Sequence, residues 1–217
     1  MMPWAMIMPN DTVETDDQVT GARNHIIPRS MRAPPYLDSA VDARLQAYLQ
    51  ATVEDLRTLH SRAIVATLLA TGITVAEARS ARLADVSTHG SSACLCIPAH
   101  GPRGARTVPL PEFAVLPLSD WLERRRTLPI DNDRLFTLTT DGRPIADETF
   151  GRIVAAALEA IGCAEHHTSP RTLRNTFCRR HLMAGYSTGE VTQMLGLTSQ
   201  RTCNRIAATI PCMETLQ

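Results

Sequence analysis

Residues 169–196 read SPRTLRNTFCRRHLMAGYSTGEVTQMLG, and this stretch decides the fold. Ser169 before Pro170 is a helix start: a serine hydroxyl caps free backbone N–H groups, and proline has no N–H to lose in the first turn. Gly185 closes this helix. Ser187-x-x-Glu190 is a capping-box pattern that opens a second helix, and Gly196 ends it. The first helix carries Arg171 and Arg174, three residues apart and therefore on one face.

Working outward, a last helix is expected from about Gln200 to Ala208, and DETFGRIVAAALEAI (147–161) is helical, with Asp147 as its cap. RLFTLTTDGRPI (134–145) contains the turn signal Asp141-Gly142, and a helix over about Leu116 to Arg126 precedes it. SACLCIPA (92–99) and RTVPLP (106–111) alternate in polarity around the turn-forming HGPRG, which predicts a β-hairpin. Further upstream, VAEARSARLADV (75–86) reads as one short amphipathic helix. A helix from about Val53 to Ala70 carries Leu56, Leu59, Ile64, Val65, Leu68 and Leu69 and stops at Gly72. YLDSAVDARLQAYLQA (36–51) is another, capped by Asp38 or Ser39. The fold class is α+β, mostly helical, with a small antiparallel sheet. Residues 1–34 are polar, proline-punctuated and aperiodic, and read as a flexible N-terminal arm; 35–210 form the domain and 211–217 a short tail.

An apolar fraction of 44% and a charged fraction of 20% place the chain with ordinary globular domains. No apolar run is long enough to cross a bilayer, and the start, MMPWAMIMPNDTVETDD, lacks the basic segment of a secretory signal. A cytoplasmic protein is expected. Cys94, Cys96, Cys163, Cys178, Cys203 and Cys212 form no C-x-x-C knuckle, so buried thiols are expected over a zinc site or disulfides, and no metal or cofactor is implied.

Formal net charge is +0, which counts mildly against nucleic-acid binding, but the charge is unevenly spread. Asp11, Glu14, Asp16 and Asp17 face only Arg23 and Arg29 within residues 1–30. From His166 onward, Arg171, Arg174, Arg179, Arg180, Arg201 and Arg205 face only Glu190 and Glu214. There is no lysine: all 22 basic residues are arginine, so no step here can use a lysine proton donor.

Taken together, these segments resemble the catalytic domain of tyrosine recombinases, the phage-integrase family, and its Xer-type branch in particular. LLATGITVAEARSARLADV is similar to the family's ATG-L-R-V-S-E-L segment, and GPRGARTVPLP to its G-K-G-x-K-x-R-x-V-P-L hairpin. LFTLTTDGRPIADETFGRIVAAALEAIG is similar to the L-F-x-S-x-x-G-x-P-L segment with its following helix, and 169–196 to S-P-H-x-L-R-H-T-F with its L-G segment. The resemblance covers about residues 33 to 208 in order. It implies the tyrosine-recombinase catalytic-domain fold and duplex DNA as partner.

It also implies a chemistry: a tyrosine hydroxyl attacks a DNA phosphodiester, two arginines hold the non-bridging oxygens, and a lysine and a histidine manage protons. Residue by residue, the pattern is broken. The first arginine's position is Thr74, the hairpin lysine falls at about Gly101, and the histidine of H-x-x-R is Arg171, which cannot shuttle protons near neutrality. Arg174 keeps the second arginine, Leu197 stands where a His or Trp supports the phosphate, and the tyrosine's position is Ile206. The chain's tyrosines are Tyr36, Tyr48 and Tyr186, none near that end.

The expected reading is a catalytically inactive relative that binds DNA phosphates through Arg174, Arg171, Arg103, Arg106 and Arg201, as a regulator or accessory factor on a mobile element. Arg174 could equally be a structural arginine paired with Glu77. Arg103 and Arg106 fit a solvated hairpin turn about as well, Arg179, Arg180, Arg201 and Arg205 a solvated surface, and the pair His166 and His167 an ordinary loop. Arg124, Arg125 and Arg126 end a helix, where its dipole alone favours cations. An alternative function is a protein–protein module that joins an active recombinase or a second copy; against self-exchange stands the short tail after Ile206, broken by Pro211. A third is an enzyme using Ser199 or Thr202 as nucleophile. Full-length relatives carry a core-binding domain ahead of this one, and the residues before position 35 are too few for it.

Overall fold

A computed structural model describes residues 34–88, 92–163 and 168–211. The expected arm and most of the expected tail, with Cys212, His166 and His167, lie outside the described residues. Within 33–217, one compact unit, the described residues form eight α-helices and one three-stranded antiparallel sheet.

The fold is built around α2 (Leu56–Thr71). Every residue from Leu59 to Thr71 except Ser61 is buried, because α1 (Ser39–Gln50), α4 (Glu112–Thr127), α5 (Asp147–Ala160) and α6 (Pro170–Met183) pack around it. A helix apolar on all sides belongs in such a place. Thr67 and Thr71 are tolerated there because their hydroxyls donate to the Ala63 and Thr67 carbonyls, at 2.7 and 2.6 Å.

The sequence places α2 three residues too early: Asp55 caps it, accepting from the Thr58 N–H and hydroxyl, both at 2.7 Å. Asp38, not Ser39, caps α1. The expected single helix over 75–86 is divided into α3 (Val75–Ser80) and a 3₁₀ turn over Leu83–Asp85, since the backbone turns extended at Ala81. Arg82 and Arg134 then form an isolated β-bridge.

The hairpin expectation holds and gains an edge. β1 (Val86–Ser87), β2 (Cys94–Ile97) and β3 (Arg106–Pro109) pair in that order, with Val86 opposite Leu95, and Leu95 opposite Val108. In the turn, His100 and Arg103 exchange backbone hydrogen bonds of 3.0 and 3.1 Å. α4 begins at Glu112, ahead of the expected Leu116, and keeps Pro117 inside it. Asp147 is the first residue of α5 and not its cap; it pairs with Arg79 across 2.9 Å. Among the described cysteines, Cys163, Cys178 and Cys203 are buried as expected, but Cys96 is exposed and Cys94 only half-buried. No described helix is long and apolar enough to cross a membrane.

Candidate functional site

Three helix ends meet where the sequence places the family's phosphate site. α2 terminates at Gly72, α3 begins after Thr74, and α7 (Thr188–Met194) terminates at Leu195 and Gly196. α6 packs against α2 and α7, and α8 (Arg201–Ala207) packs on it. Between them lies a cleft of about 360 Å³, whose lining includes Thr74, Arg103, Arg171, Arg174, Leu197 and Thr202.

Gly72 and Gly196 make the junction possible. Both adopt the left-handed conformation, φ +60° and +63°, which ends each helix by turning its chain away. A Cβ on Gly72 would lie 2.7 Å from a Leu195 methyl and 2.9 Å from the Phe177 ring; one on Gly196 would lie 2.6 Å from Arg106 Nη1.

Arg174 uses its guanidinium on helix ends. Nη1 donates to the Gly72 carbonyl and Nη2 to the Leu195 carbonyl, the latter at 2.8 Å. The carbonyl ends of α2 and α7 are thereby joined through one cation, as the partial negative charge of helix C-termini favours. Burial pushes the Arg174 guanidinium down to about 10; nearby Glu77 opposes this, while Arg106 and Arg103 add to it. It stays charged at neutral pH.

Glu77 does not pair with Arg174. Its partner is Arg106, Nη1 to Oε1 at 2.8 Å, with the two side chains 8% and 1% exposed. Arg106 Nε donates to the Met194 carbonyl at 2.8 Å, so this arginine is locked between α3 and α7 and is not in the hairpin turn. Thr74, read from the sequence as the family's first-arginine position, caps α3: its hydroxyl accepts from the Glu77 N–H at 3.3 Å, and Glu77 Oε2 accepts from the Thr74 N–H at 2.8 Å. Thr74-x-x-Glu77 has the same capping-box form as Ser187-x-x-Glu190, so this role was readable in the sequence.

Burial of Glu77 pushes its carboxyl up, but the hydrogen bonds from Arg106 and Thr74 and the arginine's charge hold it below the usual range. The cleft is nevertheless cationic. Arg103, Arg171 and Arg174 are among its lining residues, which include no carboxylate, and the nearby Arg106–Glu77 pair is neutral as a whole, leaving an excess of three positive charges. Arg103 Nε and Arg106 Nη2 are buried without a hydrogen-bond partner among the described residues. Buried donors and charges in that state favour an anion.

The remaining expected residues divide. Arg171 is exposed on the rim, Gly101 occupies the hairpin turn with φ +56°, and Arg201 is exposed at the start of α8. Leu197 lines the cleft, whereas Ile206 is fully buried in the core. Thr202 reaches the cleft, and the Ser199 hydroxyl accepts from the Arg201 N–H at 3.3 Å. Arg180 is not a free surface cation: Nε and Nη2 grip Asp42 at 2.9 and 2.7 Å. Arg179 lies over the Tyr36 ring at 4.9 Å, and Arg125 is buried against Asn132, so a helix dipole does not account for it. Tyr48 stacks with Arg62, and Tyr186 is 44% exposed beside His181.

Comparison with known proteins agrees with this architecture. The chain is 30% identical over 181 residues to tyrosine recombinase XerC of Pelobacter propionicus, covering 82% of this chain and 56% of that protein. The chain therefore spans little more than half of that relative's length. The XerA recombinase crystal structure superposes with a TM-score of 0.69 at 24% identity, covering 81% of this chain and 59% of that one. XerH site-specific recombinase, in a post-cleavage complex with its palindromic difH substrate, gives 0.71 at 19%, covering 82% and 50%. These two structures share the fold. Residues 40–208, from α1 to the end of α8, match the model of the phage integrase family, and the chain belongs to that family of tyrosine recombinases.

Proposed function

We propose that this chain is a catalytically inactive tyrosine-recombinase relative that binds duplex DNA, serving as a regulator or accessory factor of recombination on a mobile element. The carrying observation is the cationic cleft itself, taken with the absence of a nucleophile at the position that the resemblance gives to the tyrosine. Arg103, Arg171 and Arg174 line it, and the tyrosine's position is Ile206, a fully buried core residue. Guanidinium groups suit a backbone phosphate in charge and in hydrogen-bonding geometry. That XerH was caught on its DNA substrate with the same fold is consistent with this reading. Strand cleavage is a different matter, because no lysine exists to protonate a leaving oxygen and Arg171 cannot.

The test is a salt-dependent titration on duplex DNA of the wild type beside an Arg103→Ala, Arg171→Ala double variant. Binding should fall steeply with salt, and removing two phosphate contacts should reduce the log–log slope by about 1.8. Absence of binding at low salt would defeat the DNA reading. A nicked suicide substrate should yield no covalent protein–DNA adduct; an adduct mapped to Ser199 or Thr202 would overturn inactivity.

A further inference from the structure

A second arginine-lined cleft, of about 590 Å³, opens at the other end of α2. The two ends of this 16-residue helix are about 24 Å apart. None of the residues lining this cleft lines the one around Arg174. Its walls come from the first turns of α2, the 138–145 segment and α5.

Three features set this cleft apart. First, Arg57, Arg62 and Arg152 line it, and no aspartate or glutamate does. Of the nearby carboxylates, Asp55 is occupied with Thr58 as the cap of α2, and Asp120, which shares a small pocket with Arg62, forms no ion pair with it. Second, Arg62 is a buried cation without a counter-ion: 9% exposed, it donates from Nη1 to the Ala51 carbonyl and lies 4.2 Å over the Tyr48 ring. No carboxylate reaches it within ion-pair distance among the described residues, and its Nε has no partner there. Third, His60 is 7% exposed, borders the cleft, and leaves Nε2 without a partner. Burial, with the charge of Arg125 added, holds this imidazole down at about 4, so it is neutral.

Buried charges are normally paired, because an isolated one costs several kcal/mol of lost hydration. A site that keeps an uncompensated guanidinium beside two exposed ones is built for an anion. Leu138, Ile145 and Ile153 add apolar surface to the lining, and the volume is that of a small-molecule site. We propose that this cleft binds a small organic phosphate monoester, its phosphate held by Arg57, Arg62 and Arg152 and its apolar body seated on Leu138, Ile145 and Ile153. Such a ligand would bear on the end of α2 opposite Gly72, and so on the helix whose other end Arg174 holds.

The experiment is an amide chemical-shift titration of the full chain with 1-naphthyl phosphate, with 1-naphthol and inorganic phosphate run separately. Shifts should cluster at Thr58, Thr139 and Thr149. The ester should bind at least about tenfold more tightly than either fragment, a difference of one charge-assisted contact or more. Arg57→Ala with Arg152→Ala should weaken it at least about tenfold; both residues are exposed, so the fold is kept. Arg103→Ala with Arg171→Ala should leave it unchanged, which separates this site from DNA binding. The proposal is overturned by an absence of shifts at millimolar ester, by shifts centred on Arg171 and Leu197, or by either fragment binding as tightly as the ester.

Discussion

Arg106 Nη1 lies 2.8 Å from Glu77 Oε1, and this buried pair joins the sheet to the first turn of α3. The same carboxylate accepts the Thr74 N–H and hydroxyl, so one side chain holds an arginine and a helix start together. Glu77→Ala should therefore destabilise the protein by about 3–5 kcal/mol, since it strands a buried guanidinium. Glu77→Gln keeps the side-chain volume and one of the two acceptor oxygens, so it retains part of this network without the charge, and should cost less. Urea unfolding of both variants reads this directly; a loss below about 1 kcal/mol for Ala would mean the pair does not secure the junction.

Arg171 and Arg174 sit on one helical face but should behave differently. Arg174 joins the ends of α2 and α7 through two carbonyls, so Arg174→Ala should cost about 2–4 kcal/mol of stability besides any effect on DNA. Arg171 is exposed, and Arg171→Ala should change stability by less than about 0.5 kcal/mol. Thermal melts of the two variants in DNA-free buffer discriminate the roles; equal melting temperatures would refute the assignment.

Gly72→Ala should be worse than Gly196→Ala. Both place a Cβ in left-handed backbone, at a cost of about 1–3 kcal/mol. At Gly72 the added atom also strikes packed Phe177 and Leu195, whereas at Gly196 it meets the end of the Arg106 side chain. Denaturant midpoints should fall in that order, and the reverse order would mean that Arg106 is the more rigid neighbour.

Acid should weaken the fold through His60. Its folded pKa is about 4 against an ordinary 6.5, so between these values the unfolded chain binds more protons. Its contribution is thus fully present above pH 6.5 and lost as pH falls towards 4, by an amount on the order of 3 kcal/mol. Glu77, held below its usual range, adds loss with the same sign at lower pH. His60→Phe should flatten the stability profile between pH 6.5 and 4; an unchanged slope there would exclude His60 as its source.

Much of this protein is local enough to read in one dimension. Helix starts and stops are set by neighbours in sequence, which is why Ser169-Pro170, Ser187-x-x-Glu190, Gly72 and Gly196 all mark real boundaries. The hairpin is legible for the same reason: alternation and a turn are short-range properties. The reading of Thr74, Leu197 and Ile206 as departures from the family's pattern likewise rests on residue identity alone.

Pairing is where reading along the chain stops. The sequence offers Arg174 as a partner for Glu77, but the register of β3 opposite β2 puts Arg106 beside it and leaves Arg174 to the carbonyls. Arg180 and Asp42, 138 positions apart, meet because α1 and α6 pack around the same buried helix. Likewise the cleft at the start of α2 joins residues from Tyr48 to Ala157, and only the packed fold shows that Arg62 is buried there with no ion-pair partner among the described residues. Which residues form elements depends on local backbone energetics; which charges are buried, and against what, depends on how those elements exclude water from one another.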